Sequence, residues 1–187
     1  MRDLEAALTR LDVRARPPRL DDADVFYAVH DAPVGTLVLA ATREGTLVAC
    51  SYDTEDVVAA RLAARLSPRV VREPGRLDEA RREVDAYVAG RRRSFDVPVS
   101  TVLATPFAQT VLGALARVPY GSTTTYQAIA RAIGEPRASR AVGNALGANP
   151  LCIVLPCHRV LRTDGSLGGY AGGLDVKRRL LNLESGD

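Results

Sequence analysis

The stretch Gly134-Glu135-Pro136-Arg137-Ala138-Ser139-Arg140-Ala141-Val142-Gly143-Asn144-Ala145-Leu146-Gly147-Ala148-Asn149-Pro150 decides how the second half of this chain is read. Gly-Glu-Pro turns the backbone, and a helix over about 137–148 follows until Asn149-Pro150 stops it. At 100° per residue Ala138, Val142, Ala145 and Leu146 share one face, and Arg140, Gly143, Asn144 and Gly147 the other. The second face is small and smooth, with one projecting arginine. It suits either a close helix–helix contact or a backbone brought near a ligand, and it is too bare to read bases in a major groove.

Upstream, Thr105-Pro106 supplies an N-cap and a first-turn proline for a helix striped with Phe107, Val111, Leu112 and Leu115. Pro119-Tyr120-Gly121 is a turn. Thr124 and Gln127 have capping-box spacing and open a short helix over 125–133. Downstream, Leu151-Cys152-Ile153-Val154-Leu155 reads as a buried strand. Helix, short helix, tight turn, helix and then a β segment is the order of a winged helix-turn-helix.

That strand delivers Pro156-Cys157-His158-Arg159-Val160, where a thiol and an imidazole stand side by side in a chain with three Cys and two His. Adjacent strand residues face opposite ways, but past Pro156 the chain leaves regular extension and a thiol–imidazole contact becomes possible. An imidazole that takes the proton makes the thiol a nucleophile, and needs a third group to orient it. Glu184 falls within the apolar stripe Leu180, Leu181 and Leu183 of a last helix, so it is either the partner of His158 or a solvated end residue. The glycine-dense run 165–173 lacks P-loop spacing and predicts a loop that approaches a ligand or another segment closely.

The first half has a different texture. Val25–Val29, Gly35–Ala40 and Thr46–Cys50 predict an antiparallel meander, with turns at Asp31-Ala32-Pro33 and Arg43-Glu44-Gly45. Residues 54–66 predict a helix with Val57, Ala60 and Ala64 on one side. Leu77, Ala80, Val84, Tyr87 and Val88 predict an amphipathic helix ending at Gly90. Arg91-Arg92-Arg93 is either a solvated helix C-terminus or a phosphate contact. Phe95 to Val99 is a last strand or a linker, and the Arg-rich residues 1–20 form a tail. Residues 21–100 and 101–187 are therefore expected as two domains.

No run reaches the roughly 18 apolar residues of a membrane helix, and Met1-Arg2-Asp3-Leu4-Glu5 lacks the order of a secretion signal, so a cytoplasmic protein is expected. Three cysteines without CxxC spacing predict reduced thiols and no structural zinc. Cys50 and Cys152 read as buried small hydrophobes. Residues 1–100 hold 16 Arg against 17 Asp/Glu, a net −1. Residues 101–187 hold 9 Lys/Arg against 5 Asp/Glu, a net +4, so the basic excess lies wholly in the second half and could serve a polyanion.

Pro156–Val160, Arg137-Ala138-Ser139-Arg140-Ala141-Val142-Gly143, Gly147-Ala148-Asn149-Pro150 and Tyr170-Ala171-Gly172-Gly173 together resemble the O6-alkylguanine-DNA alkyltransferases, from about Thr105 to Glu184. The resemblance implies an α/β protein of two domains, an N-terminal RNase H-like α/β domain of mainly structural role and a C-terminal winged helix-turn-helix catalytic domain. It implies irreversible, single-turnover transfer of an alkyl group from O6-alkylguanine, and less well O4-alkylthymine, after the base is flipped out of duplex DNA. Cys157 would be the acceptor, activated through a water by His158, with Glu184 holding the imidazole and Asn149 supporting the turn that carries the cysteine. Tyr126 would face the flipped guanine and help neutralise the leaving anion. Arg140 would fill the gap in the duplex, beside Thr123, Thr124, Ala138, Ser139, Ala141 and Gly143 along the minor groove. Val160, Tyr170, Gly172, Lys177, Leu146 and Cys152 would surround the base, and the N–H of Ala171 could reach O6. No cofactor or metal is implied. The protein would act as a monomer, with cooperative binding along DNA left open.

The chain departs from the pattern at two positions. Ala171 stands where some members have serine, and Cys152 where proline is frequent. Three rival readings are a cysteine hydrolase, which would turn over, a non-catalytic lesion sensor of the same fold, which would lack the acceptor thiol, and a plain transcription factor, which the bare recognition face disfavours.

Overall fold

The computed structural model describes residues 23–186, so the expected tail 1–20 lies outside the described residues. Strands β1 (Val25–Ala32), β2 (Gly35–Thr42) and β3 (Leu47–Ser51) form the expected meander. β1 pairs antiparallel with β2 from Val25↔Thr42 to Ala32↔Gly35, and β2 with β3 through a bulge at Ala40/Ala41. Helix α1 (Glu55–Arg65) then returns the chain to β4 (Val70–Arg72), which lies parallel to β1 and gives the sheet order β3-β2-β1-β4. This fourth strand was not expected. Its three residues are too few to show a period, and the crossover helix makes the parallel pairing possible.

The period-two alternation of the strands divides the interior. Val25, Val38, Ala40 and Val48 face α1. Phe26, Ala28, Leu37, Leu39 and Cys50 face helix α2 (Asp78–Val88) and, beyond it, the C-terminal half. The face of α1 differs from expectation: Val58 and Leu62 are buried, while Val57, Ala60 and Ala64 are exposed. Burying a leucine and a valine outweighs burying alanines. Val88 closes α2, and residues 95–99 cross as a linker that touches the sheet through a Leu47–Val99 bridge.

The C-terminal half holds α3 (Pro106–Leu115), β5 (Thr124–Thr125), α4 (Tyr126–Ala132), α5 (Ser139–Gly147), β6 (Val160–Leu161) and α6 (Leu174–Ser185). Thr105 caps α3 by accepting the Ala108 N–H, a bond worth about 1 kcal/mol. Ala108 rather than Phe107 completes the buried stripe. The cap of α4 is Thr125, not Thr124, because the helix begins at Tyr126 and the Thr125 hydroxyl accepts the Ala128 N–H at 3.0 Å. Gln127 donates instead to the carbonyl of Pro136, tying α4 to the turn before α5. Val142, Ala145 and Leu146 of α5 face the core as expected, whereas Ala138 precedes the helix and is half-buried.

Residues 151–155 are not a strand. Val154 N–H bonds to the carbonyl of Cys152 around Ile153, which has φ 71°, and Leu155 N–H returns to Leu151. A β-branched residue with positive φ at the centre of a γ-turn is strained, and it persists because Ile153 is buried on all sides. The apolar run looks like a strand only in composition. No helix among the described residues is long and apolar enough to cross a membrane.

Candidate active site

A second γ-turn, at Pro156 (φ −81°, ψ 61°), bonds Cys157 N–H to the carbonyl of Leu155 and feeds a single 3-10 turn over Cys157–Arg159. Two tight turns in succession present Cys157 at the floor of a cavity of about 800 Å³. Asn149 stitches them: its Oδ1 accepts Leu151 N–H at 3.0 Å, and its Nδ2 donates to the carbonyl of Leu155 at 3.0 Å and to Cys157 Sγ at 3.3 Å.

The imidazole of His158 turns away from the cavity into the protein. Its Nε2 lies 2.7 Å from Glu184 Oε1, and both side chains are buried. Glu184 also accepts from Arg159 (Nε at 2.8 Å, Nη2 at 3.0 Å), from the Gly121 N–H at 3.0 Å and from the Tyr87 hydroxyl. Arg159 Nη1 donates to the carbonyl of Val118 at 2.6 Å. Burial alone would raise the Glu184 pKa, but bonds from His158, Arg159, Tyr87 and Gly121 bring it down to about 2. The carboxylate is thus ionised, so Nε2 carries a proton and Nδ1 is the basic nitrogen. Among the described residues Nδ1 has no hydrogen-bond partner, and no direct bond joins the ring to Cys157. Burial outweighs the carboxylate and holds the His158 pKa below its ordinary value, which keeps the ring neutral.

The thiol is held low. A hydrogen bond from the Cys152 thiol contributes most, and burial opposes it; the Asn149 amide and the charge of Lys177 add to the lowering. Lys177 is buried and reaches the carbonyls of Val160 at 2.6 Å, Leu167 and Gly169 at 3.4 Å, pinning the glycine-rich loop from behind. Its burial brings its pKa down to about 8.

Facing Cys157 across the cavity are Tyr126, Leu146, Tyr170 and Ala171, with Ser139, Arg140, Gly143, Asn144 and Gly147 of α5 forming the rim. Burial raises the Tyr126 pKa, so its hydroxyl is a donor at neutral pH. Four expected pocket residues lie one layer back. Val160 and Lys177 brace the loop, Cys152 sits behind Cys157 against the carbonyl of Asn149 at 3.6 Å, and Gly172 lies under Tyr52. Ala138, Ala141, Thr123 and Thr124 stand outside the cavity, Ala138 ahead of α5 and Thr124 in β5. Two glycines are fixed by contact: a Cβ on Gly168 (φ +63°) would stand 2.6 Å from the Tyr126 hydroxyl, and one on Gly172 2.7 Å from the Tyr52 ring.

Sequence reasoning missed Arg159, Tyr87 and Tyr52. The only signal for Arg159 was its place among apolar residues, since a buried arginine needs an anion. Tyr87 counted as one more apolar residue of its helix, and nothing local distinguishes it. Both tyrosines come from the half expected to be mainly structural; Tyr52 meets Tyr170 edge-on with ring centroids 5.7 Å apart.

Residues 25–101 match the family model described as 6-O-methylguanine DNA methyltransferase, ribonuclease-like domain, and residues 106–186 the one described as its DNA binding domain. A methylated-DNA–protein-cysteine methyltransferase of Methanosarcina acetivorans is 40% identical over 160 residues, covering 86% of this chain and 98% of that protein. The constitutive enzyme of that name from Bacillus subtilis is 38% identical, covering 85% and 94%. The crystal structure of Mycobacterium tuberculosis OGT in complex with DNA superposes with a TM-score of 0.74 at 38% identity, covering 86% of this chain and 93% of that one. With both family models matched in order and relatives of this identity spanning most of its length, the chain belongs to the 6-O-methylguanine DNA methyltransferase family, whose members repair DNA directly by moving an alkyl group onto a protein cysteine.

Proposed function

We propose that Cys157 is the alkyl acceptor for O6-alkylguanine in double-stranded DNA, and that the nucleotide is extruded into the cavity above it. The observation that carries this reading is the thiol at the cavity floor, held low and backed by the buried His158–Glu184–Arg159 cluster. In-line attack on a carbon attached to O6 is impossible within the base stack, so extrusion is required, at a cost of a few kcal/mol. Arg140 at the rim stands in for the lost stacking, and the smooth face of α5 lets the backbone approach a minor groove.

The thiol proton passes to His158 Nδ1 through one bridging water, since no direct bond connects the two groups. The sulfur attacks the alkyl carbon, a C–S bond forms, and the C–O6 bond breaks with its electron pair left on the guanine. Tyr126 donates a hydrogen bond to the developing anion. The thioether has no route back to thiolate, so each molecule works once. The protein acts as a monomer in the cytoplasm.

Incubation with a duplex carrying one O6-methylguanine should add one methyl to Cys157 within tryptic peptide 141–159. An unmodified peptide beside an unrepaired oligonucleotide would refute the proposal, and product beyond one equivalent would favour a hydrolase. Cys157→Ala should bind DNA without transfer. Arg140→Ala should slow repair of duplex about tenfold to a hundredfold, the rate equivalent of the extrusion cost, with little effect on the free modified base.

A further inference from the structure

Beyond helping to hold the Cys157 thiol low, Cys152 takes no step in the transfer just described, yet it is not an isolated thiol. It is buried directly behind Cys157, and the two cysteines grip opposite ends of one residue: Cys152 Sγ meets the backbone carbonyl of Asn149 at 3.6 Å, and Cys157 Sγ meets its side-chain amide at 3.3 Å. The γ-turns at Ile153 and Pro156 fold the five-residue step between them back on itself, so that both thiols close on the same asparagine. Only Cys157 opens onto the cavity; Cys152 is 2% exposed and cannot meet a reagent from solution except through its neighbour.

We infer that Cys152 is a resolving thiol for Cys157: a hydroperoxide entering the cavity oxidises Cys157, and Cys152 captures the product as an internal disulfide. In the first step the Cys157 sulfur attacks one peroxide oxygen, the O–O bond breaks, and the departing oxygen takes up a proton as water or an alcohol. In the second, the Cys152 sulfur attacks the sulfenic sulfur of Cys157, the S–O bond breaks, and hydroxide leaves with the Cys152 proton as water. The hydroperoxide is reduced by two electrons and the two thiols are oxidised to one disulfide. A sulfenic acid left alone would go on to irreversible sulfinic acid, whereas the disulfide is returned by thiols. The mutual influence of the two thiols prepares the roles, holding Cys157 low as the attacking thiolate and Cys152 high as the protonated partner. Cys50, the third buried thiol, lies on β3 with its backbone paired to residues 150–152, and it is the competing partner to be distinguished.

The test needs no DNA, so its failure is separable from failure of the alkyl-transfer reading. The full chain is treated with stoichiometric hydrogen peroxide, blocked with an alkylating agent and digested without reductant. Cys152 and Cys157 both fall in tryptic peptide 141–159, which should lose two hydrogen masses and escape blocking. Dithiothreitol should restore both thiols and most of the starting transfer activity. Cys152→Ala and Cys152→Ser, each compared with its own untreated activity, should instead gain oxygen at Cys157 and recover little. Oxygen gain at Cys157 in the unaltered chain, a cross-link to the peptide of Cys50, or equal recovery by both Cys152 variants would each overturn the inference.

Discussion

Two glutamates are buried among the described residues, one in each half, and they are used differently. Glu83 on α2 accepts the N–H groups of Asp96 (2.9 Å) and Val97 (3.3 Å) and pairs with Arg92 at 3.0 Å. Its partners fasten the linker to the first domain, and none of them touches the cavity. Glu184 on α6 accepts one backbone N–H and three side-chain donors, one of which is the imidazole next to the reactive thiol in the same turn. Burial of a carboxylate is therefore no sign of catalysis by itself. What separates the two is whether a titratable partner lies between the carboxylate and a cavity.

The largest effect expected from that difference comes from a pair of like substitutions. Glu184→Gln should lower the alkyl-transfer rate by about a hundredfold to ten-thousandfold, the usual worth of a positioned general base. It should also cost about 3–5 kcal/mol of stability, because the guanidinium of Arg159 loses its buried counter-charge. Glu83→Gln should cost about 1–3 kcal/mol by weakening the linker anchor, with the transfer rate per folded molecule unchanged. Denaturant titration beside single-turnover kinetics separates the two quantities. A Glu83→Gln protein as slow as Glu184→Gln would break the comparison.

Acid titration sharpens it further. The Glu184 pKa is about 2 in the folded protein against an ordinary value near 4.5. A depressed folded pKa contributes stability that is fully present above the unfolded value and is lost as pH falls. Unfolding free energy should therefore decline from about pH 4.5 towards pH 2, and the decline should be shallower in Glu184→Gln. Unchanged acid limbs in the two proteins would remove Glu184 from the account.

How far the sequence showed this arrangement depends on the range of the interactions. The helix starts at Thr105-Pro106, the smooth face of α5 and the meander are local, and spacing alone exposed them. Glu184 stood out because a charge interrupted an apolar stripe. Composition misled where a strained turn mimics a strand, at Leu151–Leu155, and where two valines in a row left the helix face ambiguous, at Val57 and Val58. Tyr87 and Tyr52 were illegible for another reason. The Tyr87 hydroxyl and the Tyr52 ring meet their partners only when the two halves close on each other, through Cys50 N–H to Pro150 (2.7 Å) and Cys152 N–H to Cys50 (2.8 Å), and no local pattern encodes that.

The smallest predicted effect tests that closure directly. Among the described residues of the first half Tyr87 alone hydrogen-bonds the carboxylate, and its ring stays packed on Phe95 (centroids 5.0 Å apart) whatever happens to its hydroxyl. Tyr87→Phe removes one donor from a carboxylate that keeps Arg159, His158 and Gly121. The loss should be about 1 kcal/mol of stability and less than a tenfold change in transfer rate. With one stabilising bond gone, the carboxylate binds protons more readily, so the acid loss of activity should begin at higher pH than in the unaltered chain. A purely structural tyrosine would lower stability and leave that pH profile in place. A shifted profile would show that the first domain tunes the His158–Glu184 pair, and that the contrast between the two glutamates is one of partners rather than of domains.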